Sequence, residues 1–331
     1  VQYEIRQNKA TQQWVIFVPE RSERPHDVPT PQTQQADVPP YDAECPFCPG
    51  NEATHLETII SEQADPASGH WQTRVVPNKF PVVTPDGDAT RVPHGLYLTM
   101  PGYGRHEVII EHPQHNQDIA TMHAVEVERV IETYHRRYHD LLHIHEHMLI
   151  TIFRNHGARA GTSLLHPHSQ IVVTGFVPNS IRWREEEARR YFDEWGRCVF
   201  LDMLAFEQQE QRRVVLENES FVAFIPFAAD VPFEVWIMPK RPQADFGTIT
   251  DPEKADLAHA LRDVLGRLRR VLHNPDYNYI INTPARYQRN EPHLQWYLQI
   301  RPRTTTPAGF EIGSGIPVNP SLPEDDAARL K

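Results

Sequence analysis

Short apolar runs and longer amphipathic stretches alternate along the chain, and that alternation predicts the elements. Runs of roughly four to eight residues, rich in branched and aromatic side chains, read as strands. QWVIFVP is the first of these, followed by HEVIIEHP, HMLITIFRN and HPHSQIVVTG, then by FVAFIPF, FEVWIMPK, YNYIINT and HLQWYLQIRP. Between HEVIIEHP and HMLITIFRN, residues Val127, Val130, Ile131, Tyr134 and Tyr138 recur at helical spacing. DPEKADLAHALRDVLGRLRRVLHN predicts a second amphipathic helix, with Asp251 as its cap and Pro252 as its first residue. A charged helix, REEEARRYFDEWGR, separates the two groups of strands.

The order strand, helix, strand, strand occurs twice. Glu107 of EVII precedes His166 by 59 residues, and Glu234 of EVWI precedes His293 by 59. Equal spacing from matching strand starts reads as an internal duplication. It sets His166 over His293, His168 over Gln295 and Gln170 over Tyr297, so one half carries the chemistry and the other supports it. The expected fold class is α+β: two halves, each a mainly antiparallel sheet with packed helices. The expected divisions are 1–178, a helical connector at 179–214, and 215–331.

Residues two apart on a strand share a face, so His166, His168 and Gln170 point the same way. Three polar groups on an otherwise apolar strand need partners, because burying an unpaired polar group is unfavourable. Hydrogen-bonded core histidines are the plain alternative, but Gly161, Thr162 and Ser163 just upstream favour a ligand. An imidazole titrates near neutrality and is nucleophilic toward phosphorus. It can form a phosphoramidate and leave again, which divides one transfer into two easier steps. A nearby glutamine amide can hold the non-bridging oxygens. Cys45 and Cys48 form a lone CxxC, a weak zinc signal by spacing alone, with free thiols or a redox pair as alternatives. His135, His139, His143, His145 and His147 cluster without a convincing third ligand, and read as helix-surface histidines.

The length of 331 residues suits one large or two ordinary domains. A net charge of -11 argues against a nucleic-acid partner and leaves room for a small anionic ligand. No apolar run reaches the roughly 18 residues of a membrane span, and the first residues lack a signal-peptide pattern. With three cysteines, which cannot pair fully, this predicts a reducing cytoplasm. The prolines of VPTPQTQQADVPPYDAECP mark an extended segment before Cys45.

HPHSQ resembles the His-x-His-x-Gln motif of the galactose-1-phosphate uridylyltransferase family, within the histidine-triad superfamily. The likeness extends to WVIFVPERSERP with Arg21 and Arg24, to CPFCPGNE, to VVPNKFPVV with Asn78, and to FRNHGARAGTS with Asn155, Gly161 and Ser163. It implies two histidine-triad-like halves, with His168 as the nucleophile that carries a nucleoside monophosphate and Gln170 stabilising that intermediate. Asn155, Gly161 and Ser163 would cradle phosphates, and Asn78 would contact the nucleotide. Arg21 and Arg24 would reach phosphates, either within one chain or across the interface of a homodimer. The resemblance also implies a closed structural Zn2+ site of Cys45, Cys48, His115 and His166, with His112 as the rival ligand. No second metal is expected, because Tyr297 and Gln299 stand where some members have histidines, and Arg184 where they have a glutamate.

The implied reaction moves a nucleoside monophosphate from a nucleotide-sugar to a sugar 1-phosphate, as in UDP-glucose–hexose-1-phosphate uridylyltransferases. The ending AGFEIGSGIPVNPSLPEDDAARL keeps Phe310 but lacks that enzyme's lysine and Tyr-Glu pair. Together with PFEVWIMPK it looks closer to a branch that includes ADP-glucose phosphorylases, in which inorganic phosphate accepts the nucleotide. Gly313, Ser314, Gly315 and Asn319 are candidates for an acceptor pocket, with a glycine turn as the alternative. A non-catalytic nucleotide-binding or metal-storage protein is the reading from another class; such a protein has no need of a nucleophile.

Overall fold

The computed structural model describes residues 3–23, 38–52, 58–63 and 71–331. In chain order, the first half contains β1 (Glu4–Gln7), β2 (Trp14–Phe17), β3 (Ile60–Gln63), β4 (Trp71–Pro77), β5 (Val92–His94), β6 (Tyr97–Thr99), β7 (Gly104–Ile110), α1 (Ala124–Leu142), β8 (Leu149–His156) and β9 (His168–Thr174). Two helices follow, α2 (Asn179–Trp195) and α3 (Val199–Glu210). The second half contains β10 (Val214–Glu217), β11 (Phe221–Phe224), β12 (Val235–Pro239), α4 (Asp251–Val271), β13 (Tyr277–Asn282), β14 (Tyr297–Pro302), α5 (Gly309–Ser314), β15 (Val318–Asn319) and α6 (Pro323–Leu330).

Ten strands make one antiparallel sheet in the order β10-β11-β12-β14-β13-β8-β9-β7-β4-β3. Within it β7-β9-β8 and β12-β14-β13 are two copies of one arrangement, joined where β8 pairs with β13. The α+β class and the two halves are therefore as expected. Alternation dictates the layering. One face of the sheet, with Ile109, Ile152, Ile171, Val173, Tyr279, Leu298 and Ile300, packs under α1 and α4 in the main core. α1 supplies Val127, Val130, Ile131, Tyr134 and Tyr138 to it, the stripe expected from the periodicity. The opposite face carries His168, Gln170 and a small cluster of Cys45, Phe47, Cys48, Val76, Val108 and Ile110. Burial of these large apolar side chains contributes about 1.5–3 kcal/mol each.

Three expectations need correction. QWVIFVP is the second strand: β1 pairs with it, in a small sheet that β15 completes. The sequence hides β1 because its inward residue is a cation. Arg6 is buried beside the Phe17 and Phe227 rings and pairs with Glu324, while Ile5 is exposed. Thr250, not Asp251, caps α4: its backbone is extended, and its N–H donates to the Glu253 carboxylate at 2.8 Å. The repeat as aligned is also out of phase. Glu107 points under α1, where Arg137 holds it at 2.7 and 2.8 Å, whereas Glu234 points to the other face, toward Trp236 and Gln299. A one-residue slip moves a strand residue to the opposite face, so equal spacing did not mean equal place.

Candidate active site

β9 is central in the sheet, and its two faces have different tasks. On the helix side, Ser169 Oγ accepts from Tyr134 O–H at 2.6 Å, and Tyr134 also meets Tyr279 at 2.6 Å. Glu111 lies against the same tyrosine and is held by Arg154 Nε at 2.9 Å, with Asp118 at the Nη2 of that guanidinium, 3.1 Å away. A buried, mutually satisfied polar network thus fixes the strand from behind.

On the other face, His168 is buried, and its Nδ1–H donates to the His166 carbonyl at 2.8 Å. That bond selects the tautomer and leaves the lone pair on Nε2. Burial holds the imidazole below its ordinary pKa, so it is uncharged and nucleophilic at neutral pH. Phe47 packs edge-on against both His168 and His166, with ring centroids 5.4 and 6.0 Å away.

Phe47 belongs to the turn that presents Cys45 and Cys48. Cys45 Sγ lies 3.7 Å from His166 Nδ1; Cys48 Sγ lies 3.6 Å from both His166 Nδ1 and His115 Nδ1. The four ligand atoms are within 4.8 Å of one another, and all four residues are buried. Tetrahedral zinc, with Zn–S about 2.3 Å and Zn–N about 2.0–2.1 Å, sets S···N separations of about 3.6 Å. The donor set therefore fits the metal. His166 Nε2–H donates to the His112 carbonyl at 2.8 Å, which turns Nδ1 toward the thiols. His112 itself is engaged elsewhere: its ring meets Glu126 at 3.3 Å and accepts Gln114 N–H.

The loop between β8 and β9 lies beside His168. Asn155 is the penultimate residue of β8, a single 3-10 turn spans Ala158–Ala160, and Gly161 closes it at φ +91°. Ser163 is exposed after it. Gly157 opens the loop at φ +84° and ψ 159°, a region that only glycine occupies readily. A Cβ there would stand 2.0 Å from Asp276 Oδ1, and Asp276 accepts Arg159 N–H at 2.7 Å. Gly157→Ala is expected to cost about 3 kcal/mol or more through strain and this clash. Thermal unfolding at a lower Tm, with zinc content unchanged, is the measurement that checks it.

The expected residues come together unequally. His168, Gln170 and Asn155 share one face, and Asn78 Nδ2 points at Gln170 Oε1 from 3.5 Å. Arg21 is elsewhere: with Tyr3, Ile16, Val18, Phe310 and Val318 it lines a cleft of about 460 Å³ and meets Glu311 at 3.7 Å. Arg24 lies outside the described residues. Gly315 adopts φ +71° at the end of α5, as a helix-ending glycine does. Asn319 is buried, donating to the Ala229 carbonyl and accepting Ser321 N–H, so its polar atoms serve the fold. Arg184 donates to Asn282 at 2.7 Å and lies over the Tyr297 ring. Sequence reasoning passed over His106 and Asn278, which bond to Gln170 and Asn155. The signal available was a histidine on the same strand face as Gln170's neighbour, visible only once β7 and β9 are paired.

The N-terminal domain of the galactose-1-phosphate uridyl transferase family matches residues 1–178, and its C-terminal domain matches 184–297. ADP-glucose phosphorylase of Arabidopsis thaliana is 33% identical over 333 residues, covering 99% of this chain and 92% of that protein. Galactose-1-phosphate uridylyltransferase of Thermotoga maritima is 27% identical, covering 99% and 98%. The crystal structure of an Arabidopsis thaliana ADP-glucose phosphorylase with bound ADP-glucose superposes at a TM-score of 0.86 with 31% identity, covering 100% of this chain and 98% of that one. Both domains are matched in order and the likeness runs along nearly the whole length, so the chain belongs to the galactose-1-phosphate uridyl transferase family and is an enzyme of the nucleotidyltransferase type.

Proposed function

We propose that the protein transfers a nucleoside monophosphate from a nucleotide-sugar through a covalent His168 intermediate, with ADP-glucose as donor and inorganic phosphate as acceptor. The observation that carries the covalent step is the His168 tautomer, buried, uncharged and with Nε2 free of the bond that holds Nδ1. Nε2 attacks the α-phosphorus, the N–P bond forms, and the bridging P–O bond breaks to release glucose 1-phosphate. Phosphate then attacks the same phosphorus from solution, the N–P bond breaks, and ADP leaves. Gln170 and Asn155 donate to the non-bridging oxygens, where negative charge concentrates. Gly161 and Ser163 complete the phosphate cradle, and Asn78 meets the nucleotide. Zinc held by Cys45, Cys48, His115 and His166 supplies rigidity; it takes no part in bond making.

The choice of adenylyl donor rests on the 33% identity to an ADP-glucose phosphorylase and on an ending without the uridylyltransferase lysine and Tyr-Glu pair. The 27% identity to a uridylyltransferase of matching length supports a second reading, with UDP-glucose as donor and galactose 1-phosphate as acceptor. A homodimer is part of the proposal. Tyr3 and Phe310, 63% and 52% exposed, flank Arg21 in the cleft, a surface suited to meeting a second chain and carrying Arg21 to its site.

The experiment incubates the protein with ADP-glucose or UDP-glucose labelled on the α-phosphorus, then adds phosphate or galactose 1-phosphate. Acid-labile label from ADP-glucose, released by phosphate, is the expected result. Label from UDP-glucose, released by galactose 1-phosphate, moves the protein to the second reading. Absence of label from either overturns both.

A further inference from the structure

Each amide beside His168 has its carbonyl oxygen held by a donor from the next strand outward. Gln170 Oε1 lies 2.7 Å from His106 Nε2, and Asn155 Oδ1 accepts from Asn278 Nδ2 at 2.8 Å. The direction of the first bond is set by the ring's other side. His106 Nδ1 accepts Val82 N–H at 3.1 Å, so its proton sits on Nε2 and is given to Gln170. Asn278 is oriented likewise, because its Nδ2 also donates to the Ala160 carbonyl at 2.9 Å. Turning either amide over would set donor against donor. In both residues the NH2 group is therefore the end left for a ligand.

The second half shows the opposite arrangement. Glu234 stands to Gln299 as His106 stands to Gln170: each is opposite the residue two beyond the glutamine. There the carboxylate takes the amide's NH2 at 2.7 Å, and Asn282 occupies its oxygen at 3.2 Å. One half has an amide used up by its neighbours; the other has an amide aimed by them.

We propose that His106 and Asn278 are positioning residues for nucleotidyl transfer, holding Gln170 and Asn155 so that both NH2 groups face the non-bridging oxygens of the α-phosphate. This rests on the His168 intermediate proposed above. Charge on those oxygens rises toward the transition state, so donors already aimed act more on rate than on substrate binding.

The test measures the rate at which α-labelled ADP-glucose labels His168. His106→Asn keeps an acceptor for Val82 N–H and removes the 2.7 Å donor to Gln170, leaving Asn78 Nδ2 at 3.5 Å; His106→Gln keeps a donor where Nε2 stood. Asn278→Asp sets a carboxylate against Asn155 Oδ1. His106→Asn and Asn278→Asp are each expected to slow labelling about ten- to 100-fold with KM within about threefold, less than the about 100- to 1,000-fold of a removed oxyanion donor, because the amide stays and only its aim is lost. His106→Gln is expected to restore the rate to within about threefold of the parent. In a Gln170→Ala background, His106→Asn should have no further effect. Labelling at the parent rate in His106→Asn and Asn278→Asp overturns the inference, and so does a His106→Asn effect of the same size in the Gln170→Ala background. No label on the parent protein from any nucleotide-sugar overturns the proposed function instead, and this inference with it.

Discussion

Replacing His168 with glutamine is expected to lower turnover by roughly 10⁴-fold or more and to abolish the labelled protein intermediate. Glutamine fills similar space and its amide can donate to the His166 carbonyl, so the local fold has a substitute for the bond that Nδ1 makes at 2.8 Å. What it lacks is a ring nitrogen with a lone pair. The Asn155 and Gln170 donors and the phosphate loop remain, so nucleotide-sugar should still bind. Turnover, labelling, zinc content and Tm measured on one preparation separate the outcomes. Unchanged Tm and zinc with lost turnover assign the nucleophile. Turnover within about tenfold of the parent would sink the covalent route.

The second large effect is expected at the cysteines. Native protein should contain one zinc per chain. Cys45→Ser, or exhaustive chelation, should lower Tm by more than about 10 °C. Structural zinc sites bind with apparent free energies on the order of 10 kcal/mol, and that binding energy is folding energy. Burial pushes the Cys45 thiol up to about 11 and the His166 imidazole down to about 4. At neutral pH Cys45 is therefore a thiol and His166 an uncharged imidazole, and zinc must displace the Cys45 proton to bind. Its affinity should therefore fall as pH falls. The loss should reach the active site, because Phe47 and His166 connect the knuckle directly to His168. Metal analysis and thermal denaturation check this; native protein without zinc would refute it.

Much of this was legible in the sequence because periodicity and spacing are local. The α1 stripe and the strand runs needed only neighbours along the chain. The same-face placement of His168 and Gln170 followed from strand alternation. Features that depend on pairing were not legible. β1 turns a cation inward, so its pattern reads as polar until Phe17, Phe227 and Glu324 surround Arg6. The repeat was real, but its phase depended on which face Glu107 and Glu234 occupy. His106 is an ordinary strand residue until β7 lies against β9. His115 could be named a ligand only by resemblance, since 67 residues separate it from Cys48.

The seam between β8 and β13 has a consequence for how the molecule comes into being. Asp276 and Asn278, which hold the glycine loop and Asn155, are made more than 100 residues after the loop they hold. A nascent chain emerging from the ribosome can gather its cysteines and β7–β9 early, while the glycine loop still lacks its outer wall. Contacts so distant in sequence form late, after the loop-closure entropy has been met. On that order His168, the proposed nucleophile, takes its place before the loop beside it is complete, and the proposed activity waits for the second half to dock.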